Sequence, residues 1–454
     1  MSIRFEGTLT RTDERITRTF PFDVPEGTTD LNVRLRYDPA HTEGASLPQQ
    51  ISMTVYGPNG WVSEINRAGD RFEEGTDIGP NPSPGTFPTR IEPGRWTIFL
   101  STYRVVDTIV QFEIEVTFRN GASNITLPEA PAAAEPRSRG AGWYRGDLHA
   151  HTVHSDGAWG NRELVDYMQR HGLDFCTLTD HNTVTGLPEH LSLAHDGMVT
   201  LGGSEVSTYR GHMLALGVHE RIEWRNEDGT TIAVSSLADA IHDVGGLSII
   251  CHPRKPGDPW CCGCRWEHLD MMPGNAKGVE IWNGVWSDRN GEGIALWQSW
   301  LDEGHRLVAT SGTDHHGRSE HFEAARQARA AVNVVYAQEF RADAILDALK
   351  RGHSYVSAGP ILQLHGTQEA SSSQVHMGDQ VEDDGVVIIE AAWNDLPEGA
   401  SAHLVIDGQR EVLGNEERGE HRRDIDATSF RWLTLEAWDD AGAWAISNPI
   451  YGRR

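Results

Sequence analysis

No apolar stretch in the 454-residue sequence approaches the roughly 20 consecutive residues that a membrane-spanning helix requires. The amino terminus, Met1-Ser2-Ile3-Arg4-Phe5-Glu6-Gly7, has charges where a secretory leader needs an unbroken apolar segment, so no leader is expected. Cysteine is scarce. There are five, three of them crowded into Cys261, Cys262 and Cys264, and an odd number so spaced does not describe a disulfide framework. A reducing cytoplasm is therefore the expected compartment. Positive charge is also short: 39 Lys plus Arg face 66 Asp plus Glu, for a formal charge of -27. Such a surface disfavours nonspecific contact with DNA or RNA, and no nucleic-acid partner is expected. A small phosphorylated substrate stays compatible, because bound divalent cations can invert the local field of an acidic protein.

What is present is enough apolar residue, 38% of the chain with 15 tryptophans, to fill several cores, and the length suggests two or three domains. Residues 1–126 read as short strands with period-two alternation. Leu31, Val33, Leu35 and Tyr37 share one face, as do Phe112, Ile114, Val116 and Phe118, with Gly and Pro clusters between strands; a β-sandwich of jelly-roll type fits. Residues 127–142, rich in Pro and Ala, read as a linker. In residues 143–360 strand-like runs such as Phe175-Cys176-Thr177-Leu178-Thr179 alternate with helical spacings, Leu164, Val165 and Met168 or Leu237, Ile241 and Val244. That pattern predicts an α/β domain whose strands could form a barrel. From residue 361 to 454 alternation returns without helical signal, predicting a small all-β domain.

The histidines and carboxylates are not scattered evenly. In Asp147-Leu148-His149-Ala150-His151 two imidazoles sit two apart on extended chain, which turns both to one side and makes a metal clamp. Further groups recur at the ends of predicted strands: Thr179-Asp180-His181-Asn182, Gly203-Ser204-Glu205, Gly211-His212-Met213, Cys251-His252-Pro253 and Gly312-Thr313-Asp314-His315-His316. Carboxylates mixed with imidazoles suit zinc, manganese or iron better than calcium.

These motifs, with His154-Ser155-Asp156-Gly157, resemble in type and order those of the polymerase-and-histidinol-phosphatase (PHP) superfamily of metallohydrolases. Together with Gly278-Val279-Glu280-Ile281-Trp282-Asn283-Gly284 and Gly352-His353-Ser354-Tyr355, they are most similar to its carbaryl-hydrolase-like (CehA/McbA-type) members. The resemblance covers residues 143–360. It implies a distorted (β/α)7 barrel and three divalent transition-metal ions. It assigns His149, His151, Glu205 and Asp314 to the first ion, Glu205, His212 and His252 to the second, and Asp156, His181 and His316 to the third. It further implies hydrolysis of a small phosphomonoester or phosphodiester by activated water, with a carboxylic ester or carbamate as the alternative substrate.

Around this set, Asp180 is read as a catalytic relay or ligand orienter, against a structural hydrogen bond on the far side of the strand. Arg254 and Lys255 are candidates to grip a substrate phosphate, against a solvated loop tip. Asn283 and His315 are candidate substrate contacts, against packed side chains. Glu205, Asp314 and His252 carry catalytic as well as ligand roles. Cys261, Cys262 and Cys264 with His268 invite a structural zinc, against an ordinary loop beside the pocket. A binding protein with glycan-recognising β domains and an inactive centre is the reading of a different class. The sequence does not speak to oligomeric state.

Overall fold

The computed structural model describes residues 1–39, 49–65, 73–121, 126–257, 260–269, 272–317 and 329–454. In the first third, eight strands form two antiparallel four-stranded sheets. In chain order their sequence across the sheets is 1-8-3-6 and 2-7-4-5, the connectivity of a double-sheet jelly roll. The two alternating sets read from the sequence pair with each other. Leu31 lies opposite Phe118, Val33 opposite Val116, Leu35 opposite Ile114 and Tyr37 opposite Phe112, and all eight are buried in one core with Phe22, Met53 and Ile98 of the second sheet. Each fully buried side chain of this size contributes roughly 1.5–3 kcal/mol. Residues 126–141 form neither helix nor strand.

The central strands are divided between two sheets. Gly142–Asp147, Phe175–Thr177 and Val199–Leu201 run parallel, with Val332–Ala337 antiparallel beside the first. Gly203–Thr208, Gly211–Leu216, Leu247–Ile250, Gly278–Asn283 and Val308–Gly312 make a separate five-stranded sheet. The (β/α)7 expectation is not supported: among the described residues the chain is mostly sheet, with 14% helix. The physical reason lies in the connections. Gly203–Thr208 and Gly211–Leu216 form a hairpin, which needs only a tight turn where a parallel pair would need a helical crossover. Where helices do occur the apolar spacing is informative: Leu164, Val165 and Met168 of Asn161–Arg170 are buried, as are Leu237 and Ile241 of Val234–Asp243. Val244 is the C-cap and 43% exposed.

The last strands do not stand apart. Gly442–Ser447 pairs with Ser354–Ser357, so one ten-stranded sheet runs from the central segment through the division expected at residue 360. Gln374–His376, Ile361–Gln368, Val386–Asn394 and Gly419–Asp426 form a further four-stranded sheet, and its Leu362, Ile389 and Trp393 share a core with Leu164 and Met168. Among the described residues no helix is long and apolar enough to cross a membrane. Cys261 and Cys264 are joined in a disulfide, which the odd cysteine count does not predict; their Cα atoms are 5.4 Å apart, inside the range a disulfide spans.

Candidate metal centre

The two central sheets meet at isolated parallel bridges, Ala150 with His315 and His181 with Glu205. The strand ends that carry the chemistry-bearing residues converge there. Glu205, fully buried, lies at the middle. Its Oε2 is 3.1 Å from His149 Nε2, 3.3 Å from His151 Nε2 and 3.0 Å from His181 Nδ1. Its Oε1 is 2.9 Å from His212 Nδ1 and 3.2 Å from His252 Nε2. Asp314 Oδ1 is 3.4 Å from His149 Nε2 and 3.1 Å from His151 Nε2. Asp156 Oδ1 is 3.5 Å from His181 Nε2 and 3.3 Å from His316 Nε2. All nine residues singled out as ligands thus lie in one cluster. Two of them, His252 at φ 25° and Asp314 at φ 53°, hold left-handed backbone that ordinary side chains rarely adopt, a strain that concentrates at functional sites.

The donor set fits divalent cations. Two atoms sharing an ion at about 2.1 Å are roughly 3.0–3.4 Å apart at octahedral or tetrahedral angles, the separation seen here. Glu205 Oε2 and His149 Nε2 are buried and make no hydrogen bond among the described residues, a costly state unless a cation satisfies them. Burial alone would raise the Glu205 carboxyl, but His149, His181 and His212 hold it well below the ordinary range. Burial likewise opposes ionisation of Asp314, yet Lys255 and His149 hold it low. His151, pushed down to about 3 by burial and by the neighbouring His316 and His181, is a neutral donor at pH 7.

Sequence reasoning missed the groups that aim these ligands. Glu280, 1% exposed, accepts from His149 Nδ1 at 2.9 Å, from the backbone N of His252 at 2.8 Å and from Asn283 Nδ2 at 3.0 Å. It thereby fixes the His149 tautomer with Nε2 toward the cluster. A bulge between Glu280 and Trp282 sets the local register. Opposite stands Gly312, where a Cβ would collide with Glu280 and His149. His252 Nδ1 donates to the Cys264 carbonyl at 2.9 Å, so the cysteine loop orients a ligand. With Cys261 and Cys264 in a disulfide and His268 Nε2 bonded to Thr208 Oγ1 at 2.9 Å, the structural zinc reading falls away. Asp147 accepts from Thr313 N and Oγ1, both at 2.8 Å, and steadies the approach to Asp314; burial pushes its carboxyl up to about 7.

Other candidates move to different roles. Asp180 is turned from the cluster and takes hydrogen bonds from Thr152 N, Thr152 Oγ1 and Ser155 Oγ at 2.6–2.7 Å; it shapes the loop that carries Asp156, the structural alternative. His315 is 2% exposed and packs on Trp159 and Tyr167, which corrects its reading as a substrate contact. Lys255 pairs with Asp314. Arg254, Lys255, Asn283 and Arg289 line a cavity of about 430 Å³ that His252 and Asp314 also border. Among the described residues neither Arg254 nor Arg289 pairs with a carboxylate. Arg289 lies 35 positions from Arg254, which is why no local motif exposed it.

No family model matches the chain. An uncharacterised protein of Methanocaldococcus jannaschii is 29% identical over 167 residues, 34% of this chain and 89% of that protein. A phosphoribosyl 1,2-cyclic phosphate 1,2-diphosphodiesterase of Eggerthella lenta is 36% identical over 81 residues, 16% of this chain and 31% of that enzyme. Among solved structures, a two-domain protein from Bacteroides vulgatus containing a predicted PHP-like metal-dependent phosphoesterase aligns with 71% of this chain and 99% of its own, at 15% identity and a TM-score of 0.40.

Proposed function

We propose that this chain is a metal-dependent hydrolase of small phosphomonoesters or phosphodiesters. The observation that carries the reading is Glu205: a fully buried carboxylate ringed by five imidazoles with one oxygen lacking a hydrogen bond is satisfied by cations. In this reading His149, His151, Glu205 and Asp314 hold one ion, Glu205, His212 and His252 a second, and Asp156, His181 and His316 a third. Manganese, zinc and iron suit such donors. When bound, these ions make water a nucleophile at neutral pH and polarise the phosphoryl group.

The chain's own groups do the rest. Glu280 and the Cys264 carbonyl keep the imidazoles of His149 and His252 aimed inward. Arg254 and Lys255 grip phosphoryl oxygens at the cavity mouth, with Asn283 held beside them by Glu280. Arg289 meets the remainder of the substrate. In a chain of charge -27, two guanidinium groups in one cavity, without carboxylate partners among the described residues, favour an anionic substrate over a neutral carbon ester. The similarity to a phosphodiesterase supports the same preference.

A panel of nitrophenyl phosphate, bis-nitrophenyl phosphate, naphthyl acetate and naphthyl methylcarbamate, assayed with added manganese, zinc or iron, tests the reading. Turnover of one or both phosphoesters is expected. Turnover confined to the acetate or the carbamate contradicts the phosphoesterase and supports a carbon-ester hydrolase with the same centre.

A further inference from the structure

Three chains of hydrogen bonds run from the amino-terminal jelly roll to the neighbourhood of two ligands: one reaches the carbonyl of Asn182 beside His181, one reaches His154 in the loop that carries Asp156, and one reaches His181 itself through Ser207. The first passes through Arg221, whose side chain is 6% exposed. Its Nη2 lies 3.2 Å from Glu64 Oε2 on strand Gly60–Ile65, its Nε donates to the Asn182 carbonyl at 3.0 Å, and its guanidinium stands 5.1 Å from the Trp61 ring centroid. Asn182 follows His181 directly and holds a φ of 54°, so its carbonyl direction and the His181 backbone are set together. The second runs from Glu64 to the Asp156 loop. Glu64 N donates to Gly85 O at 3.0 Å, and Gly85 N donates to His154 Nδ1 at 3.3 Å. Gly85 has a φ of 85°, and a Cβ there would press on the carbonyl oxygens of Glu64 and His154. The third starts at Tyr103, 2% exposed. Its Oη donates to the Ser207 carbonyl at 2.9 Å; Ser207 Oγ sits 2.6 Å from His181 Nδ1, and Ser207 N donates to Asn182 Oδ1 at 2.9 Å.

The other side of the centre is held differently. His149 and His252 take their orienting bonds from Glu280 and from the Cys264 carbonyl, both inside the central segment; the jelly roll meets that loop away from Cys264, through Arg104 on the Trp260 carbonyl and Arg15 on Glu267.

The junction is also built at a cost that packing alone does not require. Glu64, Arg221 and Arg225 are buried charges; Arg225 donates to Ser101 Oγ at 2.6 Å and Thr54 Oγ1 at 2.7 Å, while Thr54 Oγ1 donates to Glu64 Oε2 at 2.8 Å. Burial pushes the Glu64 carboxyl up despite these arginines. Apolar side chains of the same volume stabilise such an interface as well or better, whereas directional bonds fix a geometry.

We infer that the jelly roll is a working part of the metal centre: it clamps Asp156 and His181, and Arg221 is the positioning residue through which it sets the affinity of the ion those ligands share with His316. The inference rests on the three-ion reading of the site. It predicts that damage to the clamp weakens one ion and spares the other two.

The test is a manganese titration of the full-length protein, followed by calorimetry and by elemental analysis after equilibration at fixed free metal. Arg221→Gln is expected to raise the dissociation constant of one ion by about 10-fold or more, the scale of lost support around a metal ligand, and to change the other two by less than about 3-fold. Arg221→Lys keeps the charge but cannot reach Glu64 and the Asn182 carbonyl together, so it is expected to rescue only in part. Tyr103→Phe, which removes one hydroxyl from an otherwise retained ring, should shift the same ion in the same direction, and it carries the test if Arg221→Gln does not fold. Equal weakening of all three ions, or no change in any, overturns the clamp while leaving the phosphoesterase reading standing. A parent protein that takes up only two ions overturns the clamp and the three-ion reading together, whatever its activity on nitrophenyl phosphate.

Discussion

Glu205 is the residue on which the centre depends, because five imidazoles face its two oxygens. Glu205→Gln keeps the shape and removes the charge. It is expected to lower turnover of nitrophenyl phosphate by roughly 100-fold or more, and activity within a few-fold of the parent would contradict the bridging role. Glu280→Gln leaves every proposed ligand in place but weakens the acceptor that fixes His149. Metal affinity, measured by competition with a chelator, should fall by about 10–100-fold; an unchanged affinity would make Glu280 a packing residue only. The two glutamates also mark what could be read from sequence. Most of the nine ligand candidates carry chemistry at the ends of predicted strands, where a recurring pattern is visible. Glu280 is a single carboxylate inside the apolar run Gly278–Asn283, and only its burial against His149 and the His252 backbone reveals its task. For Asp180 and His315 the sequence leans toward a structural side chain and leaves a functional one open, since a residue flanking a ligand on extended chain can face either way.

At the scale of elements, alternation and helical spacing identified strands and helix faces well, because they report which side of a segment is buried. They did not identify which strands pair. The hairpin Gly203–Thr208 with Gly211–Leu216 and the pairing of Ser354–Ser357 with Gly442–Ser447 join segments whose local patterns suit either a barrel or separate sheets. Strand Trp432–Asp439 of the long sheet contains a testable burial. Glu436 is fully buried and takes hydrogen bonds from Thr434, Gln298 and Trp438, yet burial still raises its pKa above the ordinary glutamate value. A raised carboxyl favours folding in its protonated form, so its contribution is present below the unfolded pKa and is lost as pH rises through the folded one. Glu436→Gln removes that dependence. The melting temperature of the variant relative to the parent should climb as pH increases from about 4 to about 8, and a difference that is flat or falls with pH would contradict the assignment.

Over the whole molecule, the acidic balance of the chain and the basic lining of one cavity belong to the same account. The net charge of -27 repels polyanions at a distance, while in the proposed reading Arg254, Lys255 and Arg289, which line one cavity, receive a small anion. The jelly roll bonds to the central segment at His154 and Ser207, and the carboxy-terminal strand Gly442–Ser447 continues one of its sheets. The sequence suggested separate modules because composition changes at the linker and near residue 360, but hydrogen bonds and shared cores cross both places. Composition marks where a pattern changes and carries no information about docking between segments far apart in the chain. The central claim is that the nine-residue cluster binds divalent ions. Anomalous diffraction from manganese-loaded crystals tests it most directly. Anomalous peaks are expected about 2.1 Å from the carboxylate oxygens and imidazole nitrogens that surround Glu205, and a map with no peak among those side chains would overturn the assignment.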